Sequence, residues 1–355
     1  MKLRKQLLSL HLPPSFQELP RLDDSFLFDI ETTGLSPKRS FIYLIGVLFF
    51  RENAWHCWQW MAQDESEELS LLEEFFSFSS TFHTVIHFNG RHFDLPFVLE
   101  RCRHHQILCP LAGFSEFDLY QNIRPLKNLL KLEKLNQKSL EDFLGVQRLD
   151  PYDGKELISL YRTFQKQPCD SLENALLLHN LEDLTGMVSL FSLLSYHALK
   201  SGDFCLEKIE PVMEPEKFQL KISLLLTHAV PVPVSFQNSY GYCSVKEQTC
   251  RFLVTGIKGS LKHFFPDCKN YDYLLLEERV IHKSLSSYVE RSHRRPAKPE
   301  ECYVSKTGLF LPQIHAEHQP CFQETYRSSA LFFEYNDELL SDTDWVLPYI
   351  QSLFL

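Results

Sequence analysis

Two acids, Asp29 and Glu31, interrupt the apolar stretch Phe26-Leu27-Phe28-Asp29-Ile30-Glu31, and nothing else in the chain constrains its fold as tightly. The surrounding residues are β-prone, and in a strand positions i and i+2 face the same way. Both carboxylates therefore project from one side of a hydrophobic strand while Ile30 enters the other. Held there, they repel each other and lose hydration. A bound cation relieves both. The strand breaks at Thr32-Thr33-Gly34-Leu35, where glycine permits a turn and a close approach of backbone to a ligand. These four are candidate substrate-binding residues. The competing reading of Asp29 and Glu31 is a pair of rim carboxylates.

The neighbouring sequence says what kind of sheet this strand joins. Ile42 to Phe50 is nearly continuous in apolar residues, as a strand buried on both faces requires. Ala54 to Met61 alternates, which makes three strands over 24–61. An acidic helix over Glu65 to Phe78 follows, with Leu69, Leu72, Phe75 and Phe76 on its buried face. The strand Thr84 to Phe88, the turn Asn89-Gly90 and a helix over Asp94 to Arg103 with Pro96 in its first turn come next. Ser115 to Tyr120 reads as a strand. Ser139 opens a helix that closes at Gly145, and Gly154 to Gln165 and Leu172 to Leu199 are helical. This order predicts an α/β fold, a mixed β-sheet flanked by helices.

Beyond about residue 200 the pattern changes to a smaller β-rich α+β region. Phe218 to Phe236 and Cys243 to Val254 alternate like antiparallel strands, and Thr255 to Gly259 reads as a turn. Tyr271 to Leu276, Tyr303 to Leu311 and Ala330 to Tyr335 add strands. The expected organisation is a leader over 1–22, a domain over 23–200 and a C-terminal region over 201–355. The leader reading rests on basic Met1 to Lys5 meeting Pro13-Pro14 without a cleavage site, unlike a signal peptide.

A chain 44% hydrophobic and 23% charged is of ordinary globular composition. Its longest apolar runs are about half the roughly 20 residues that span a bilayer, so no membrane partner is expected. Ten cysteines without a C-x-x-C pair suggest reduced thiols in a cytoplasm. Cys102, His104, His105 and Cys109 are close in sequence but lack the paired spacing of structural zinc, and read as a helix and its exit loop. A net charge of −10 excludes a broad basic surface for duplex DNA. It leaves room for a site where metal ions and a few local cations neutralise phosphates.

Two further segments supply acids. Asn89-x3-Phe93-Asp94 places Asp94 at a helix start, where it either joins a metal site or simply caps the helix. His179-Asn180-Leu181-Glu182-Asp183 puts His179 and Asp183 one helical turn apart on one face. Asp29, Glu31, Asp94 and Asp183 together suit two divalent ions about 4 Å apart, one activating water and one stabilising a leaving 3′ oxygen. Hard oxygen ligands favour Mg²⁺ or Mn²⁺ over Zn²⁺. His179 is placed to orient or deprotonate the attacking water.

The order D-x-E-T-T-G-L, N-x3-F-D and helical H-N-x2-D resembles the DEDD superfamily of 3′–5′ exonucleases. More closely, it is similar to the YprB-type ribonuclease H-like family, relatives of the proofreading domain of family B polymerases. The likeness covers about residues 23–199 and includes Asp118-Leu119-Tyr120, Ser139-Leu140-Glu141 to Gly145, and Arg148-Leu149-Asp150 to Asp153-Gly154. It implies a mixed sheet with three antiparallel strands and two metal ions, the four acids being Asp29, Glu31, Asp94 and Asp183. It also makes Asp118 a supporting or alternative acid, beside the plain reading of a strand-end aspartate. Tyrosine-type members carry tyrosine where this chain has His179, and histidine-type members carry histidine where it has Leu178.

The resemblance implies a metal-dependent nuclease, a 3′–5′ exonuclease on single-stranded DNA or RNA. Leu35 and Phe93 are candidates for packing on a terminal base, and Asn89, Arg91 and Asn180 for substrate contact. Lys127, Lys131, Lys134 and Lys138 recur at helical offsets and line either a phosphate path or a solvated face, with Asn136 ending that helix. His293 to Lys298 is the one dense basic run. Two other readings stay open: a catalytically inactive nucleic-acid- or protein-binding module, and a structure-selective endonuclease.

Overall fold

Six strands build the sheet that carries the acids: β1 (Lys2–Leu8), β2 (Ser25–Thr32), β3 (Ile42–Arg51), β4 (Ala54–Met61), β5 (Thr84–His87) and β6 (Ser115–Asp118), in the order β1-β4-β3-β2-β5-β6. The computed structural model describes residues 1–13 and 21–354. β1, β4, β3 and β2 run antiparallel, whereas β5 pairs parallel with both β2 and β6. The sheet is mixed, as the sequence predicts. Residues 2–8 correct one expectation. Instead of a leader they form an edge strand, paired with β4 over its whole length.

Helices cover both faces. They are α1 (Glu68–Ser79), α2 (Asp94–His104), the short α3 (Leu119–Ile123) and α4 (Lys127–Leu130), then α5 (Gln137–Leu144), α6 (Gly154–Lys166) and α7 (Asp170–Leu190). Ile45, Val47 and Phe49 of β3 pack with Leu71, Leu72 and Phe75 of α1 and Phe97 of α2. Tyr43 and Leu44 pack instead with Leu157, Tyr161 and Phe164 of α6 and Leu176 of α7. This two-sided burial is why β3 reads as an unbroken apolar run. The phenol rings of Tyr43 and Tyr161 stack with centroids 3.9 Å apart.

Four local expectations change. Asn136 does not end a helix; its side chain accepts from Ser139 N and caps α5. The lysine helix stops at Leu130 because Lys131 is left-handed, with φ 55°, so the four lysines do not share a helix face. Ser115 to Tyr120 is a strand only to Asp118, whose carboxylate caps α3. Also, the Leu172 to Leu199 helix gives way after Leu190 to a tighter 3₁₀ segment, Phe191–His197.

By its contacts the chain divides into two compact units, Met1–Tyr196 with Val230–Val232, and His197–Ala229 with Pro233–Leu355. The second unit opens with the short α8 (Ala198–Ser201) and is built on a seven-stranded sheet. Its strands are β7 (Phe204–Met213), β8 (Phe218–Leu226), β9 (Val234–Asn238), β10 (Gly241–Lys246) and the long β11 (Thr249–Phe264). After an insertion carrying β12 (Tyr271–Leu274), β13 (Arg279–His282), α9 (Lys283–Ser286) and β14 (Arg294–Pro296), β15 (Tyr303–Gln313) and β16 (Leu331–Glu334) complete the sheet. Helix α10 (Thr343–Ser352) follows.

Cys243 to Val254 is a hairpin rather than one strand, turning at Glu247, which has φ 54°. The expected turn over Thr255 to Gly259 lies in the middle of β11. A Cβ at Gly256 would overlap the Phe218 ring, so glycine there marks close packing and not a reversal. Cys268 and Cys302 are joined in a disulfide, which removes two cysteines from the expected set of reduced thiols. The two arginines of the basic run pair internally: Arg294 with Asp272 at 2.8 Å and Arg295 with Glu301 at 2.6 Å.

Candidate metal centre

Asp29, Gly46 and Gln59 stand in one row across β2, β3 and β4. Glycine in the middle of that row leaves a gap, and the side chain of Asn180 from α7 fills it; a Cβ on Gly46 would overlap Asn180 Oδ1. Gln59 Nε2 donates to Asn180 Oδ1 at 2.8 Å, and Asn180 Nδ2 donates to Asp29 Oδ2 at 2.7 Å. Asn180 is fully buried, with both ends of its amide engaged. It holds Asp29 and is not a substrate contact, contrary to expectation.

Two residues along β2, Glu31 faces the same way, and the β2–β3 ladder shifts register between Glu31 and Thr32. His179 and Asp183, one turn apart on α7, meet it there. His179 Nε2 lies 3.7 Å from Glu31 Oε1 and 3.3 Å from Asp183 Oδ2. The other ring nitrogen, Nδ1, stands 2.5 Å from Asp150 Oδ2. Asp150 is itself buried and fixed in place, since Glu182 accepts from the backbone N–H groups of Leu149 and Asp150. Arg148 Nη1 is 2.6 Å from Asp183 Oδ1, an ion pair. The rest of its guanidinium is clasped by Glu141.

Asp94 arrives from a different direction. Asn89 takes a left-handed conformation with φ 59°, and its N–H donates to Asp118 Oδ1 at 2.9 Å. Asp118 therefore anchors the turn that delivers Asp94 and caps α3. The backbone amides of Ile30 and of Asp94 itself lie beside the Asp94 carboxylate and favour its charge. Asp29, Glu31, Asp94, His179 and Asp183 so line one open cleft of about 650 Å³, together with Phe88, Asn89, Phe93, Tyr120 and Lys134.

The charge in this cleft is unbalanced. Burial, reinforced by Asp183, Glu31 and Asp94, pushes Asp29 well above the usual carboxylate range. Burial pushes Glu31 up to about 8, although His179 pulls it back, and takes Asp94 up to about 7 against its backbone hydrogen bonds. Asp183 goes the other way: burial opposes its charge, but His179 and Arg148 outweigh burial and hold it below its ordinary value. Burial likewise opposes a charge on His179; the Asp183 bond, Glu31 and Asp150 overcome that and lift it to about 9. More carboxylate is gathered here than the local cations neutralise. Asp29, Glu31, Asp94 and Asp183 fit a hard divalent cation in donor type and in need.

The remaining sequence candidates divide. Asn89 and Phe93 line the cleft, and Leu35 is 80% exposed on the loop after β2. The Thr32 hydroxyl donates to Gly34 O, and the Thr33 hydroxyl accepts from Phe41 N; both hydroxyls shape the loop. Gly34 follows them, packed against Ser40. Arg91 turns to Glu116, with Nε and Nη2 at 3.0 and 3.2 Å from its carboxylate oxygens, and does not line the cleft. His105 binds Glu68 at 2.7 Å while His104 is exposed, so the Cys102 to Cys109 segment is not among the metal-competent groups of the described residues.

Sequence reading assigned no role to Gln59, Glu141, Arg148 or Asp150. Polar residues buried by tertiary contact leave no periodic signature. The available signal was the place of Glu141, Arg148 and Asp150 within the segments that carry the family resemblance.

Comparison with known proteins places the domain. A sequence model of the RNase H superfamily matches residues 26–195. The uncharacterized protein YprB of Bacillus subtilis (strain 168) is 30% identical over 171 residues, 47% of this chain and 40% of that protein. The chain thus spans well under half the length of this curated relative. Among solved structures, the family B DNA polymerase from Pyrobaculum calidifontis is 13% identical with a TM-score of 0.38, over 93% of this chain and 45% of that one. NrnC of Brucella melitensis with bound Mg²⁺ is 16% identical with a TM-score of 0.23, over 51% and 90%. Those two scores are low, and the assignment stands on the sequence matches and the mixed sheet. Residues 26–195 thus carry an RNase H superfamily match, and over much of that span the chain is similar to YprB.

Proposed function

We propose that the first unit is a divalent-metal-dependent nuclease acting as a 3′–5′ exonuclease on single-stranded DNA or RNA. The observation that carries this reading is the convergence of Asp29, Glu31, Asp94 and Asp183, from two strand positions and two helices, on one open cleft. A structural role for four half-buried acids is costly, since their mutual repulsion destabilises the fold.

Asp29, Glu31, Asp94 and Asp183 would hold the ions, Mg²⁺ or Mn²⁺. When bound, such ions supply Lewis-acid activation of water and neutralise charge at the scissile phosphate. The chain's residues supply position. Gln59 and Asn180 fix the Asp29 carboxylate, and Arg148 stands against Asp183. Phe93 and Tyr120 offer apolar walls for a terminal base, and Lys134 a cation for the backbone. The open cleft suits an unpaired strand end that can enter base first.

The test incubates 5′-labelled DNA and RNA oligonucleotides with the purified protein, with and without Mn²⁺. A ladder shortening from the 3′ end, lost in Asp29→Ala, is the expected outcome. Absence of cleavage under every metal, with binding retained, overturns the enzymatic reading. Internal cuts would assign an endonuclease.

A further inference from the structure

We infer that His179 is a ligand of the metal rather than the residue that handles the attacking water, with Asp150 as the residue that positions it. This rests on the metal-dependent reading above.

The inference starts from the two ends of the imidazole. Nδ1 is 2.5 Å from Asp150 Oδ2, the contact a ring N–H makes when it donates to a carboxylate oxygen. The ring is then fixed with Nε2 facing the carboxylates. Histidines bound to metals commonly donate their second N–H to a carboxylate in this way, which sets the tautomer and strengthens the ligand.

The spacing on the Nε2 side is the second observation. Nε2 lies 3.3 Å from Asp183 Oδ2 and 3.7 Å from Glu31 Oε1, and donor atoms of these three residues all fall within 4.8 Å of one another. Metal–ligand bonds of about 2.0–2.2 Å put adjacent ligands roughly 3.0–3.5 Å apart. Nε2 and Asp183 Oδ2 are therefore spaced like neighbouring ligands of one ion, and Glu31 Oε1 lies a few tenths of an ångström beyond that range. On binding, Nε2 exchanges its proton for the cation, and that proton leaves to solvent.

An imidazole among carboxylates changes the preference of the site. Nitrogen donors favour first-row transition ions, whereas Mg²⁺ is served by oxygen alone. The site should hold Mn²⁺ more tightly than Mg²⁺, and His179 should carry much of the difference.

The experiment titrates the full chain with Mn²⁺ and follows bound ion by electron spin-echo envelope modulation. Modulation from a directly coordinated ¹⁴N is expected, and it should change to the ¹⁵N pattern in protein labelled at histidine. His179→Gln should abolish it and narrow the gap between Mn²⁺ and Mg²⁺ dissociation constants measured by calorimetry. Asp150→Asn should keep a folded chain, by circular dichroism, and weaken Mn²⁺ by about 10–100-fold. Tightly bound Mn²⁺ without nitrogen modulation overturns the inference but leaves the nuclease reading standing. Modulation that survives in His179→Gln overturns it as well. A folded wild-type chain that binds no Mn²⁺ overturns both.

Discussion

At Gly46 an alanine would overlap the amide of Asn180, the group that orients Asp29. Gly46→Ala should cost about 1–3 kcal/mol from overpacking, read as a lower denaturant midpoint, and should weaken the metal site by turning Asp29 away. A larger effect belongs to pH. Asp29, Glu31 and Asp94 titrate above their ordinary values in the folded chain, so it binds more protons than the unfolded chain. Their effect is loss of stability as pH rises from about 4.5 to about 8. The metal-free protein should melt lower at pH 8 than at pH 6, and Mn²⁺ should raise the melting temperature more at pH 8. Differential scanning fluorimetry checks both, and equal increments at the two values would contradict the charge imbalance. The carboxylates themselves were legible because an acid inside an apolar strand is conspicuous. The residues that hold them were not, since Gly46 looks like one more small residue in a hydrophobic run.

Elements were easiest to read where burial is periodic and hardest where one side chain redirects the backbone. β2, β3 and β4 followed from their apolar patterns. The end of α4 did not, because it depends on a lysine adopting a left-handed conformation. β11 was broken too early because glycines usually signal turns, whereas Gly256 lies against Phe218 and Phe310. The junction of α1, α2 and β3 shows the same limit. Glu68 is fully buried, accepts from Arg101 and from Ile42 N, and is joined by His105. Arg101 also donates to Pro37 O at 3.0 Å, which ties the loop between β2 and β3 to α2. Removing one partner of a buried ion pair strands the other. Arg101→Leu should therefore cost roughly 3–5 kcal/mol in urea unfolding, and hydrogen exchange should speed up across residues 33–41.

For the molecule as a whole, the family match stops at residue 195 and the main segment of the first compact unit at Tyr196, close to where the sequence changes character. The second unit had an identifiable β-rich pattern and no catalytic cluster, so its fold class was readable and its role was not. The segment that sequence reading set aside as a leader has the widest consequence. β1 lies along β4, whose residues include Trp55, Trp58 and Trp60. It carries Lys2, Arg4 and Lys5, engaged respectively with Glu173, with Asn174 and with the face of Trp58. At the opposite margin β6 is only 4 residues long. Both margins are thus poor templates for another chain, one through charge and the other through brevity. Deleting residues 2–8 should expose a row of unsatisfied backbone groups beside three indoles and produce dimers or larger aggregates by light scattering. The basic N-terminal strand is, in that sense, the sheet's protection against its own copies.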